Sequence, residues 1–336
     1  MKLLFTLDYE LFMGHKAGTV DRCLIQPLNR YVDAVSGYGV RFTVFVDAAY
    51  LYALRKFMDR YAVLRSDYCK IASHVASLHR QGHDIQLHIH PQWYYSEYDG
   101  AEWHLDTRHY KLADMPAEEM RRLFKASKDI LDGIIDCKTT AFRAGGFSAQ
   151  PTSMLTELFV DNGLDTDSSV CPGERYDSEY QQYDYSSVSQ NDVYRFDTDL
   201  CKAQHGGRYM EVPLSMYRVG RIFHWKLLLV RLATKIFRHG RHCNYGDGQS
   251  VPATRASIVR RLMHACCTVA TIDGYKISFL KDAITACERR GCRHMCILGH
   301  PKLATPYSVD RLADICAYAK RMGHQFYTMS QLAAER

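Results

Sequence analysis

Residues 84–93 carry the sequence DIQLHIHPQW, an apolar strand pattern that runs into two histidines. Side chains two positions apart lie on the same face of a strand, so His88 and His90 are expected to point the same way. Pro91 stops the strand directly after them. Two imidazoles at a strand end are suitable ligands for one divalent metal, and a pair of structural histidines on a sheet edge is the alternative.

A second pair of candidate ligands follows the first predicted strand. Residues 2–8 form the apolar run KLLFTLD, and the polar residues Asp8 and Glu10 stand two positions apart at its end. In parallel α/β folds, the residues that carry chemistry gather at the carboxyl ends of the strands. Two carboxylates from one strand and two histidines from another therefore predict a mixed nitrogen and oxygen site, which suits zinc or a similar transition metal.

The fold class follows from the alternation of short apolar runs with helical patterns, which predicts repeated βα units around a parallel sheet. The expected strands are residues 2–8, 41–47, 84–90, 139–144, 164–170, 209–215 and 294–299. Helices are expected near residues 24–36, 70–81, 116–134, 152–162, 256–270, 277–290 and 308–322. About seven parallel strands predict an α/β fold, an incomplete (β/α) barrel that forms a single domain over residues 1–336.

Three segments interrupt this pattern and are expected as insertions at the rim of the barrel, at about residues 93–114, 171–206 and 220–250. The first two are rich in tyrosine and tryptophan, and such loops either bind a sugar substrate or pack against the scaffold. Within the third, residues 222–238 predict a basic amphipathic helix without an acidic residue. This helix either packs its apolar side on the protein or makes peripheral contact with a membrane.

Composition narrows the classes of protein that fit. Apolar residues make up 47% of the chain, enough for a sizeable core, and the net charge is only +6. Basic residues are dispersed and the aromatic residues match no recognised module, so no nucleic-acid partner is expected. The twelve cysteines include no Cys-x-x-Cys, and neither a signal peptide nor a membrane span of roughly 18 apolar residues is found. A cytoplasmic protein with free thiols is therefore expected.

Several motifs together resemble those of the NodB-homology polysaccharide deacetylases, which are metal-dependent carbohydrate esterases on a distorted, partly closed (β/α) barrel. The resemblance extends from residue 5 to about residue 332, in the order found in that family. It rests on the segments TLD (6–8), GHDIQLH (82–88), FRAGG (142–146), DTDSS (165–169) and ILGHP (297–301). The His-x-His-Pro sequence at residues 88–91 is also similar to a branch of the family linked to lipopolysaccharide biosynthesis.

The resemblance implies an activity and a cofactor. The reaction would be hydrolysis of an N-acetyl group on an amino sugar of a cell-surface polysaccharide, such as lipopolysaccharide O-antigen or its precursor. The sugar would be free, nucleotide-linked or lipid-linked, and a lipid-linked sugar would favour association with the inner face of the membrane. The implied ligands of a divalent metal are Asp8, His88, His90 and Glu10, with Zn²⁺ expected first and Co²⁺, Ni²⁺ or Mn²⁺ as alternatives.

The resemblance also implies catalytic roles. His300 closes a predicted strand before Pro301 and would act as general acid, while Glu10 would be either a fourth ligand or the general base. Arg143 would orient or balance a carboxylate, with a structural salt bridge as its alternative role. Asp167 is a candidate for holding His300 in one tautomer.

Two positions depart from the family's pattern. Tyr9 stands where the first motif usually has a second aspartate, and Gln92 stands where the second metal histidine is usual. Either Glu10 and His90 supply the missing groups, or the protein is a catalytically inactive carbohydrate-binding homologue of the deacetylase fold. The pairing of Asp-x-Glu with His-x-His favours the first interpretation.

Overall fold

The computed structural model of the chain describes residues 1–336 except 107, 179–180, 190–191, 238–239, 252–253 and 336. Arg238, at the end of the predicted basic helix, therefore lies outside the described residues. Strands within the described part are β1 (Lys2–Tyr9), β2 (Thr43–Asp47), β3 (Asp84–Ile89), β4 (Glu97–Tyr98), β5 (Trp103–His104), β6 (Ala141–Ala144), β7 (Thr166–Asp167), β8 (Arg175–Ser178), β9 (Gln181–Asp184), β10 (Tyr194–Phe196), β11 (Tyr209–Glu211), β12 (Met216–Val219), β13 (Cys266–Val269), β14 (His294–Gly299) and β15 (Gln325–Tyr327).

Helices alternate with most of the parallel strands. The α-helices of the described part are α1 (Gln26–Val35), α2 (Ala48–Phe57), α3 (Ala62–Arg80), α4 (Gln92–Tyr95), α5 (Ala117–Ile135), α6 (Thr152–Asn162), α7 (Arg221–Phe237), α8 (Arg255–Met263), α9 (Leu280–Arg289), α10 (Pro306–Arg321) and α11 (Met329–Ala333). Three 3₁₀ turns, Gly145–Phe147, Gly274–Phe279 and Pro301–Leu303, adjoin candidate site residues. The α/β class and the match to a distorted, incomplete (β/α) barrel of mostly parallel strands are confirmed.

Each predicted strand and helix overlaps an observed one, and helix α3 begins at Ala62, before its predicted start at residue 70. The short helices α4 and α11 and the short strands of the insertions were not predicted. Helix α2 was not predicted, although its alanine and leucine residues are good helix formers. The helix predicted over residues 256–270 is wrong beyond Met263, because residues 266–269 form β13 and pair antiparallel with β12. Thr268 and Val269 are β-branched and favour this extended conformation.

The chain forms two compact units. Unit 1 consists of Met1–Val40 and Ser215–Tyr327, and unit 2 consists of Arg41–Leu214 and Thr328–Arg336. Unit 1 is built around β1, which pairs in parallel with both β14 and β15. Because Leu7 is paired with Gly299, the residues that follow β1 and β14 emerge side by side.

Unit 2 contains a sheet in the order β2, β3, β6, β7, β11, β10, in which only β10 runs antiparallel to its neighbour. The register places the strand ends in one row. Asp47 is paired with His88, and His88 with Arg143. Asp167 is paired with Glu211 on the neighbouring strand.

The opposite end of the same sheet is held by helix α11. Ser330 donates from Oγ to Asp84 at 2.7 Å, and the backbone N–H of Met329 donates to Thr43 Oγ1 at 3.0 Å. Thr43 in turn donates to Asp84 at 3.0 Å. The carboxylate of Asp84 therefore joins β2, β3 and the last helix.

The aromatic insertions of unit 2 pack largely on themselves and the scaffold. Trp93 is fully buried, and its ring lies 5.3 Å from that of Trp103 and 4.5 Å from that of Tyr50. Tyr183 and Tyr185 stack at 4.9 Å. Tyr180, in the second insertion, lies outside the described residues.

Helix α5 carries a buried ion pair. Asp132 accepts hydrogen bonds from Lys128 Nζ at 2.7 Å and from the N–H and Oγ1 of Thr139, both at 2.9 Å. Burial raises the pKa of Asp132, but these hydrogen bonds outweigh it and lower the pKa below its ordinary value. The stabilisation is therefore present at neutral pH and is lost as the pH falls through the lowered pKa.

We expect Asp132→Ala to lower the free energy of unfolding by about 3 kcal/mol, because the buried ammonium of Lys128 loses its partner. Asp129→Ala is the matched control, since it removes the same i,i+4 pairing with Lys125 from the exposed side of the same helix. Its cost is expected to be at most about 0.5 kcal/mol. Urea unfolding measures both free energies. Equal losses of stability in the two variants would contradict the role of Asp132 as the partner of a buried ammonium group.

Candidate functional site

Five polar residues of unit 1 form what we call the carboxylate cluster: Asp8, Glu10, Asp273, His300 and Lys302. Asp8 and Glu10 come from the end of β1, and His300 directly follows β14. The Nε2 atom of His300 lies 3.8 Å from Asp8 Oδ2 and 3.7 Å from Glu10 Oε1. The parallel register thus brings together three of the residues that the sequence predicted for the site.

The ring of His300 is fixed by Asp273. Oδ1 of Asp273 accepts from the backbone N–H of His300 at 2.7 Å, and Oδ2 accepts from ring Nδ1 at 2.8 Å. Nδ1 therefore carries a hydrogen, and Nε2 faces Asp8 and Glu10. Burial lowers the pKa of His300, but the charges of Asp273, Asp8 and Glu10 outweigh it and raise the pKa above its ordinary value.

Asp273 was not singled out in the sequence, where Asp167 was the candidate for this role. Asp273, not Asp167, accepts the hydrogen bond from Nδ1 of His300. The available signal was the apolar run at residues 269–272, which ends in Asp273 and Gly274 in the manner of a strand end.

Lys302 is a second residue that sequence analysis missed. It follows Pro301, which begins the short 3₁₀ turn after β14, and its side chain is buried. Nζ donates to Glu10 Oε1 at 2.8 Å and to the backbone carbonyl of Leu11 at 2.7 Å. The ammonium group thereby fixes the position of the Glu10 carboxylate.

Four residues of unit 2 form what we call the histidine cluster: Asp47, His88, His90 and Arg143. Ring Nδ1 of His88 donates to the backbone carbonyl of Arg143 at 2.7 Å, because a carbonyl oxygen only accepts. This bond leaves the lone pair on Nε2, the arrangement found in metal-binding histidines. The rings of His88 and His90 lie edge to face, with centroids 4.8 Å apart.

Asp47 sets the turn that follows β3. Its Oδ1 accepts from the backbone N–H of His90 at 3.1 Å, and its Oδ2 accepts from Trp93 Nε1 at 2.8 Å. Sequence analysis did not select Asp47, although it ends the predicted strand at residues 41–47. Both oxygens are used to hold the chain around His90, so Asp47 positions this histidine.

Arg143 is fully buried at the end of β6. Its Nε donates to the Ser168 carbonyl and its Nη2 to Ser168 Oγ, both at 2.9 Å, and the guanidinium lies 4.1 Å from the centre of the Phe45 ring. Burial raises the pKa of the Asp167 carboxyl, and the positive charge of Arg143 opposes part of this rise. Arg143 therefore combines a structural role with charge balance.

Asp167 is buried beside a second carboxyl group. It accepts from the N–H and Oγ of Ser169, both at 2.9 Å. Burial raises the pKa of Asp167, and the hydrogen bond with Glu211 and the bonds from Ser169 offset this only in part. Glu211 was missed in the sequence, where it is a carboxylate inside the predicted strand at residues 209–215.

The two positions that depart from the deacetylase pattern are both buried. Burial raises the pKa of Tyr9 far above the neutral range, so this phenol stays uncharged. Oε1 of Gln92, whose residue is 2% exposed, accepts no hydrogen bond within the described part of the chain. A buried amide oxygen without a donor is a potential ligand atom for a cation.

A polar cavity of about 200 Å³ lies beside the histidine cluster in unit 2. Its lining includes Tyr110, Lys111, Gln181 and Gln182. The ring of Tyr110 lies 6.1 Å from that of His90. Hydroxyl, ammonium and amide groups of this kind are suited to a ligand rich in hydroxyl groups.

No family model and no curated protein matches the sequence. Among solved structures, the chain is similar to a Mycobacterium smegmatis protein assigned as a polysaccharide deacetylase, with 14% identity and a TM-score of 0.54, over 99% of this chain and 89% of that one. The chain has the polysaccharide deacetylase fold. It is also similar to PuuE allantoinase, with 13% identity and a TM-score of 0.51 over the same shares of the two chains. Since one fold serves several reactions, the function has to be argued from the site residues.

Gly145 allows β6 to pass close to the second histidine. A Cβ atom at this position would lie 2.6 Å from the carbonyl oxygen of Ile89 and 2.8 Å from Nδ1 of His90. Both distances are too short for a side chain, so even a methyl group here would displace the ring of His90 or the strand.

We expect Gly145→Ala to lower the free energy of unfolding by about 1–3 kcal/mol, the usual cost of overpacking. Gly133→Ala is the control, because nothing lies within 4 Å of its added Cβ in helix α5. That change is expected to raise stability by up to about 1 kcal/mol. Thermal unfolding of the two variants tests the prediction, and a stable Gly145→Ala protein would show that His90 is not closely packed.

Proposed function

We propose that the protein is a metal-dependent carbohydrate deacetylase that hydrolyses an N-acetyl group on an amino sugar. The observation that carries this proposal is the His300–Asp273 pair. It presents Nε2 to two buried carboxylates at the end of a strand, in a fold shared with a protein assigned as a polysaccharide deacetylase. The cell-surface polysaccharide or lipopolysaccharide precursor implied by the sequence is the proposed substrate class.

Asp8, Glu10, His88 and His90 are the proposed ligands of a divalent metal. All four are buried, and carboxylate and imidazole groups of this kind are suited to a metal ion. Such a set fits zinc first, with cobalt, nickel and manganese as alternatives. When bound, the metal would polarise the acyl carbonyl and make water a stronger nucleophile at neutral pH.

The protein's own groups have separate tasks in this proposal. His300 donates a proton from Nε2 to the nitrogen of the leaving amine as the carbon–nitrogen bond breaks, and Asp273 stabilises the protonated ring beforehand. Glu10 serves as ligand or general base, with Lys302 fixing one of its oxygens. Arg143 and Asp167 are proposed to hold the strand ends behind the histidine cluster.

The first test compares metal content and acetate release in three proteins. The unmodified protein is expected to hold about one metal per chain and to release acetate from N-acetylated sugars. His88→Ala/His90→Ala is expected to lose both, because two ligands are removed. His205→Ala changes a histidine on an exposed loop and should retain both.

Elemental analysis and an acetate assay supply the two readouts. A protein that takes up no metal even after soaking with zinc would contradict the proposal. The alternative, an inactive carbohydrate-binding homologue, would then account better for Tyr9 and Gln92.

We also propose that helix α7 contacts an anionic membrane surface from the cytoplasmic side. No helix of the described part is long and apolar enough to cross a membrane. Helix α7 carries no acidic residue, yet Ile222, Leu229 and Ile236 are 68%, 61% and 74% exposed. Exposed apolar residues beside basic ones are typical of helices that lie in the interface of an anionic bilayer.

Ile222→Asp/Ile236→Asp is expected to weaken binding to phosphatidylglycerol vesicles by about tenfold or more. The reason is that carboxylates replace apolar side chains that would be inserted into the bilayer. Val63→Asp, at a residue of helix α3 that is 50% exposed, is the control and should bind like the unmodified protein. Vesicle sedimentation measures both. Equal binding by all three proteins would contradict the membrane contact.

A further inference from the structure

Unit 1 contains a second polar cavity, of about 350 Å³, whose lining comes from helix α7, residues 242–246 and the turn at residues 273–276. Arg231 and Lys276 contribute cationic groups to its lining, and His242 and Asn244 contribute polar groups. Asp273 lines the same cavity. Because Asp273 also binds the ring of His300, the cavity adjoins the carboxylate cluster.

Positive charge exceeds negative charge around this cavity. Arg231, Lys276 and the nearby Arg261 form no ion pair with a carboxylate among the described residues. The protein around the guanidinium of Arg231 partly excludes water, and this desolvation and the charge of Arg261 lower the pKa of Arg231. Burial lowers the pKa of Lys276 too; the charges of Arg231 and Arg261 add to this, and Asp273 opposes it. These three cations therefore repel each other, and the negative charge of Asp273 offsets this only in part.

His224, on the buried side of helix α7, is affected by the same excess of positive charge. It is only 8% exposed, and its Nε2 has no hydrogen-bond partner within the described residues. Burial and the charges of Arg261 and Lys276 lower its pKa. The lowered pKa of this ring shows that the positive potential of Arg261 and Lys276 extends to the buried side of helix α7.

The negative charge of Asp273 does not by itself explain why these cations lie together. The carboxylate already receives two hydrogen bonds from His300, and a single negative charge does not match three cationic side chains. Guanidinium and ammonium groups that converge on a cavity are the usual ligands of phosphate oxygens.

We infer that this cavity binds a phosphate or diphosphate group, which belongs to the carrier of the acetylated sugar. The inference rests on the proposed deacetylase function for the identity of the carrier, but not for the anion site itself. A diphosphate carries enough negative charge to balance Arg231, Arg261 and Lys276. With the anion in the cavity, the attached sugar would be held near Asp273 and His300.

Two carriers share this chemistry, a nucleoside diphosphate and a lipid diphosphate. Helix α7 favours the lipid. Leu227, Arg231 and Thr234 line the cavity on one side of the helix, whereas Leu229 and Ile236 are exposed to the surroundings. One helix would thus contact both the membrane and the phosphate groups of a lipid-linked sugar.

The test is calorimetric titration of the full chain with inorganic pyrophosphate. Saturable binding is expected, and Arg231→Ala and Lys276→Met should each weaken it by about tenfold or more. Arg231→Ala changes an exposed residue, so it stays informative if Lys276→Met does not fold. Lys235→Ala removes the same charge from the same helix outside the cavity lining, and should change binding less than about twofold.

His88→Ala/His90→Ala separates the cavity from the proposed metal, because pyrophosphate also chelates divalent ions. Pyrophosphate binding that persists in this variant supports binding at the cavity. Loss of binding in this variant, equal weakening by Lys235→Ala, or an absence of saturable binding would overturn the inference.

Acetate release then identifies the carrier. Three substrates carry the same N-acetylated sugar. One has no phosphate, one is linked to a nucleoside diphosphate and one is linked to farnesyl diphosphate. Arg231→Ala should raise KM for the farnesyl substrate and leave the phosphate-free sugar unchanged. A rise in KM for the nucleotide-linked substrate alone would support the anion site and overturn the assignment of a lipid carrier.

These experiments test the anion site and the deacetylase function independently of each other. Hydrolysis of phosphate-free sugar without pyrophosphate binding would overturn the cavity site and leave the deacetylase. Pyrophosphate binding without acetate release from any substrate would overturn the deacetylase and the carrier, and leave the anion site.

Discussion

The parallel register of the strands is the constraint from which the geometry of both clusters follows. In unit 2, pairing of Asp47 with His88 and of His88 with Arg143 sets three polar side chains in one row. In unit 1, the register of β1 with β14 sets Asp8 beside His300. A slip of one residue would turn each side chain to the other face of its strand, so backbone hydrogen bonds fix the positions of these groups.

A second layer of contacts then orients each group. Asp273 holds the ring of His300, Lys302 holds the carboxylate of Glu10, and the carbonyl of Arg143 holds the ring of His88. All three contacts use groups that are themselves buried or belong to the backbone of a strand, so they lose little entropy on ligand binding. Preorganised groups of this kind are what the proposed hydrolysis of an unreactive amide would require.

The sequence predicted seven of the strands and several of the residues at their ends because both signals are local. An apolar run followed by Asp8, or by His88 and His90, is visible without knowledge of the fold. Asp273 and Lys302 could not be found in this way, since their roles depend on partners 27 and 292 residues away. The helix predicted over residues 256–270 was wrong beyond Met263 for the same reason, because β13 exists through its pairing with the distant β12.

The contact of Ser330 with Asp84 has a consequence for the order of folding. The two residues are 246 positions apart, and Ser330 belongs to the last helix described. During synthesis, β2 and β3 leave the ribosome long before the hydroxyl that bonds to the Asp84 carboxylate exists. Contacts of such sequence separation form late and slow folding. Unit 2 is therefore completed only after residue 330 has been translated, and until then the amino-terminal end of its sheet stays open to chaperones and proteases.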